Sequence, residues 1–143
     1  MKITVYADQM IQEWFDEVKK LASLPDLPSV IMAAIKFAHT ASMCGSGERF
    51  VFRNEEMGMQ GDIYMGPGVL MHKAPRQFPA IEAELDSLAS LQMQDLLQKG
   101  FAEDEETAVI RAVQSYSYAI TNRNTGHVFG YLKDGDFIPI EFE

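Results

Sequence analysis

The chain has 143 residues, 47% hydrophobic and 23% charged, which favours one globular domain or two very small ones over a disordered chain. Twelve basic against 21 acidic residues give a formal charge of −9, an excess that opposes broad nonspecific binding to nucleic acid, whose phosphates need cations. No apolar run reaches the roughly 18 residues of a membrane span, Met1 to Val5 does not open an apolar leader, and the lone Cys44 makes no internal disulfide, so a cytoplasmic protein is expected.

In chain order, Lys2-Ile3-Thr4-Val5-Tyr6-Ala7 alternates polar and apolar, the period of a half-buried strand. Asp8 is a good helix cap, and Ile11, Trp14, Phe15, Val18 and Leu21 then recur on one helical face. Pro25 and Pro28 break that pattern. Ser29 is placed to cap a second helix that buries Val30, Ile31, Ala34, Ile35 and Ala38 and stops at Gly45-Ser46-Gly47. Glu48 to Arg53 reads as a further strand, which Asp62 to Met65 can extend into a hairpin.

The same order returns 78 residues later. Ile3, Val5, Ala7 and Asp8 map to Ile81, Ala83, Leu85 and Asp86. Leu88, Leu91, Leu96 and Leu97 then mark a helix that ends near Gly100. Ser29 maps to Thr107, and Ile31, Ala34, Ile35 and Ala38 map to Val109, Ala112, Val113 and Tyr116. With one residue of drift, Phe50 and Phe52 map to Phe129 and Tyr131. Asp134-Gly135 between apolar runs signals a closing hairpin, and Pro139 an edge strand. The expected fold is α+β: two strand–helix–helix repeats, each followed by a β-hairpin. Residues 1–66 form the first repeat, 67–79 a connector and 80–143 a second, acidic repeat.

The stretches Ile3 to Asp8, Trp14 to Leu21 and Pro28 to Ile35 carry a resemblance. Residues 2–40, and more loosely 80–120, resemble the ribbon–helix–helix family of the Arc and MetJ kind, here as a degenerate tandem repeat. The resemblance implies that two units pair their strands into an antiparallel ribbon over a four-helix core. It also implies that the ribbon enters the DNA major groove and that the second helix's N-terminus receives a phosphate. One chain holding two copies is then a monomeric pseudo-dimer, or it pairs as a homodimer.

The two copies differ where DNA would lie. In the first, Lys2, Thr4 and Tyr6 face outward, and Ser29 stands near the second helix's start; these are the expected nucleic-acid contacts. In the second, the outward residues are Glu82, Glu84 and Asp86, and the second helix opens on Glu103-Asp104-Glu105-Glu106. Carboxylates only accept hydrogen bonds, and they repel phosphate. Residues 1–72 hold six basic and nine acidic residues, and residues 73–143 hold six and twelve, so most of the excess charge is in the second copy.

Two functions follow. The first is a DNA-binding transcriptional regulator, antitoxin-like or borne by a phage or plasmid. The second is an acidic inhibitor or adaptor that has lost DNA binding and takes a protein partner through Glu82, Glu84, Glu103, Asp104, Glu105 and Glu106. No nucleophile motif, phosphate loop or dinucleotide fingerprint is present, so no enzyme and no cofactor are expected. His39, His72, His127 and Cys44 are too scattered to suggest a metal site. The methionines between Met57 and Met71 suit an adaptable surface or a gap-filling role.

Overall fold

Four aspartates open four helices. Asp8, Asp26, Asp86 and Asp104 each hold extended backbone and accept a hydrogen bond from the amide three residues on. Each thereby satisfies a donor that a helix start leaves without a partner. In a computed structural model, which describes residues 1–44, 49–63 and 72–142, the elements run β1 (Lys2–Tyr6), α1 (Gln9–Leu21), α2 (Leu27–Ser42), β2 (Arg49–Asn54), β3 (Met59–Asp62), β4 (Ala80–Glu84), α3 (Ser87–Gln98), α4 (Glu105–Asn124), β5 (Val128–Lys133) and β6 (Asp136–Pro139). The described residues therefore form an α+β protein with four helices and two antiparallel sheets.

The caps correct one expectation. Asp26, not Ser29, caps α2; Leu27 and Pro28 are its first two residues, and Ser29 is the third. Pro28 loses nothing there, because the N–H it lacks would have had no partner inside the helix. Asp104 likewise caps α4, with Thr107 in its first turn. The Gly45 to Gly47 stop, the Tyr64-Met65 extension of the hairpin and Met71 lie outside the described residues.

β1 and β4 form a two-stranded antiparallel ribbon, with Lys2 opposite Glu84, Thr4 opposite Glu82 and Tyr6 opposite Ala80. Exchanging residues 78 apart maps this register onto itself, with Thr4 and Glu82 at its centre. The bonds that close the ribbon obey the same exchange: the Ala7 amide donates to the Pro79 carbonyl, and the Leu85 amide to the Met1 carbonyl. The two hairpins do not stay apart. β2 pairs with β5 to make one sheet, in the order β3-β2-β5-β6, centred on Val51 opposite Gly130. Asp134 and Gly135 both lie in the left-handed region, as a two-residue hairpin turn requires, and Pro139 sits on the edge strand.

One core serves both halves. Ile3, Val5, Ile81 and Ala83 under the ribbon join Phe15, Ile31, Ile35, Met93, Leu96, Ile110 and Ile120 from the helices. α2 and α4 pack together, α1 lies chiefly on α4, and α3 chiefly on α2. Each half's first helix thus covers the other half's second. The apolar face of α3 also differs from expectation. Ala89, Met93 and Leu96 are buried, whereas Leu88 and Leu91 are 65% and 64% exposed. No helix among the described residues is long and apolar enough to cross a membrane.

Candidate functional site at the ribbon

Strand alternation builds the site. With Ile3, Val5, Ile81 and Ala83 turned into the core, the ribbon's other face carries Lys2, Thr4, Tyr6, Ala80, Glu82 and Glu84. Pairing within the chain sets the acidic strand against the basic one. Lys2 Nζ lies 3.3 Å from Glu82 Oε1, and the N-terminal amine 3.3 Å from Glu84 Oε1. Ion pairs this exposed contribute only about 0–1 kcal/mol. They matter for the potential they set: each cation at the start of β1 already faces a carboxylate.

The Tyr6 end of the ribbon meets the start of α4. The Tyr6 amide donates to Glu106 Oε2 at 2.9 Å. Lys73, from the segment before β4, places Nζ 3.3 Å from Glu106 Oε1 and 3.6 Å from Asp104 Oδ2. The Asp104 carboxyl is held below the usual aspartate range, first by the Thr107 amide it accepts and further by Lys73, with burial opposing. Arg76 stands over the Tyr6 ring, 6.0 Å from its centroid. His72 Nε2 lies 2.6 Å from Asp8 Oδ2, its ring edge-on to Trp14. The Asp8 carboxyl is held low, chiefly by the Ile11 amide and less by His72, again against burial.

Both positions expected to receive phosphate hold a carboxylate. At α2, Asp26 Oδ1 accepts the Ser29 amide at 2.8 Å and the Ser29 hydroxyl at 2.7 Å, so both Ser29 donors turn inward to the cap. The hydroxyl is the larger cause of the lowered Asp26 pKa. At α4, Asp104 and Glu106 take the corresponding place, flanked by exposed Glu103 and half-buried Glu105. Lys2, Thr4, Tyr6, Glu82 and Glu84 thus share one face, with Asp104 and Glu106 at its end. Ser29 makes no hydrogen bond to that face among the described residues.

Sequence reasoning missed Lys73, Arg76 and the His72–Asp8 pair. The segment that carries them has no periodicity to assign its side chains to a face. A second pair, His39 Nε2 to Asp95 Oδ2 at 2.9 Å, ties α2 to α3, and Lys99 lies 2.8 Å from the same Asp95 oxygen. The Asp95 carboxyl is lowered first by Lys99 and then by His39. Among the described residues, no group of three or more His, Cys, Asp or Glu side chains is placed to hold a metal ion. No known protein family, curated protein or solved structure matches the chain significantly.

Proposed function

We propose that the chain is a protein-interaction module on a ribbon–helix–helix-like pseudo-dimer, whose ribbon face and α4 N-terminus receive a basic partner. The observation that carries this reading is the pairing of β1 with β4 in one chain, which sets Glu82 and Glu84 beside Lys2 and Thr4. A DNA reader needs cations free to displace counterions from phosphate. Here Lys2 and Lys73 are taken by carboxylates, and each second helix starts on an aspartate. Such a surface has the sign of a nucleic acid, and it suits an inhibitor or adaptor that occupies a partner's cationic face.

The test compares an arginine-rich peptide with a pool of random duplexes at low salt. The wild-type chain is expected to hold the peptide and to enrich no duplex, and the Glu82→Lys/Glu84→Lys variant to lose the peptide. The same charge change at Glu55 and Glu56, in the β2–β3 turn, should leave peptide binding in place. A transcriptional regulator remains the second reading, favoured by Thr4 and Tyr6 sharing the outer face with Arg76 close by. Enrichment of one duplex sequence, abolished by Lys2→Ala, Thr4→Ala and Tyr6→Ala together, would establish that reading and overturn the first.

A further inference from the structure

Away from the ribbon, a groove of about 840 Å³ runs between the end of α1, one side of α2, the end of α4 and the chain after β6. Its size lies within the range of about 300–1,000 Å³ usual for small-molecule sites. The floor is aromatic. Phe37 packs 5.2 Å from Tyr116 and from Phe129 and 5.0 Å from Phe142, between ring centroids. Phe37, Tyr116 and Phe129 are buried, whereas Lys36 and Arg123 line the same groove and are exposed.

The lining of the groove is positive on a chain of net negative charge. On a chain of charge −9, Lys2, Lys73 and Lys99 are each paired with a carboxylate. Neither Lys36 nor Arg123 has such a partner among the described residues. Glu141, also exposed, is the single carboxylate among the described lining residues. Arg123 is held in place: Nη1 donates to the Phe142 carbonyl at 2.8 Å, and the guanidinium lies 4.7 Å over the Phe142 ring. The rest of its donor fork is left for a ligand.

His127 adds a polar atom with no partner. The Thr125 hydroxyl donates to the Asn122 carbonyl at 2.9 Å, and its oxygen lies 3.1 Å from His127 Nδ1. Nε2 of this lining residue is then left buried without a hydrogen bond among the described residues. The arrangement is not repeated at the position related by the 78-residue exchange. The positions 78 residues after Lys36, Phe37 and Thr40 hold Gln114, Ser115 and Tyr118.

We propose that this groove binds an amphipathic carboxylate, its apolar body on Val128, Ile140 and Phe142 over that aromatic floor and its anionic head met by Lys36 and Arg123. The proposal is independent of the ribbon's role. Calorimetric titration of the full chain with decanoate, kept below its micelle-forming concentration, tests it against decanol as the uncharged probe. Decanoate is expected to bind about tenfold more tightly than decanol. Lys36→Gln and Arg123→Gln should each cost decanoate alone about threefold, so that the two together account for the tenfold preference. Lys133→Gln, at the β5–β6 turn, should leave both probes unchanged. Arg123 also anchors the chain after β6, so Lys36→Gln, which breaks no such contact, is the deciding variant. Equal affinity for the two probes, full decanoate binding by Lys36→Gln, or no binding of either probe would overturn the proposal.

Discussion

Replacing Asp104 by alanine removes the α4 cap at a place that water reaches only in part. Thr107, whose amide Asp104 accepts at 2.7 Å, is only 2% exposed. Losing an N-cap costs about 0.5–2 kcal/mol, and a donor left part-buried without a partner puts this case at the upper end, about 2 kcal/mol. The ion pair with Lys73 adds little, because both side chains are roughly half exposed. At about 4 °C per kcal/mol, the melting temperature should fall by about 8 °C. Asp104→Asn keeps an acceptor and should recover most of the loss. Asp26→Ala should cost less, since the Ser29 amide it frees is nearer to solvent. The folded-state pKa of Asp104 is depressed, so its contribution is complete above the ordinary aspartate value of 3.8 and disappears as pH falls through the lower folded value. Thermal melts at pH 7, with urea unfolding at pH 7 and below pH 3, all followed by circular dichroism, read these outcomes. A loss at pH 7 below about 0.5 kcal/mol, or an asparagine variant as damaged as the alanine one, would refute the capping argument.

Two further outcomes are expected. Gly130→Ala should cost about 1–3 kcal/mol, because the added Cβ would overlap the Ile138 carbonyl oxygen and the Phe137 ring; a melting temperature within a degree of wild type would show that the sheet yields. Leu96→Ala should cost about 2–5 kcal/mol, whereas Leu88→Ser and Leu91→Ser should each stay within about 0.5 kcal/mol; denaturant midpoints of the three variants test that assignment of the α3 face.

The elements were legible wherever a local rule governs them. Alternation marked β1 and β4, Asp8 and Asp86 marked the first helix of each half, and Asp134-Gly135 marked the last hairpin. Pro28 was misleading because a proline near a helix start reads as a break, although the second helical position accepts it. In α3 the leucines are spread over two faces, and periodicity could not choose between them. Packing against α2 makes the choice, through Ala89, Met93 and Leu96. The outward set on the ribbon could be read from alternation alone. The pairing of Lys2 with Glu82, and the approach of Lys73 to Glu106, depend on which strand lies beside β1 and where the connecting segment runs. Both are long-range facts that no local window contains.

The crossed packing of the helices bears on synthesis. Thr4 faces Glu82 across 78 residues, and α1 finds its main support on α4, which ends at Asn124. Closing so long a loop costs entropy before any contact returns it. The first half therefore leaves the ribosome with an unpaired strand edge and with Phe15 and Val18 uncovered, until most of the chain has been made. During that interval the surface that will receive α4 is equally open to the α4 of a neighbouring nascent chain. Domain-swapped dimers are the expected by-product of crowded expression.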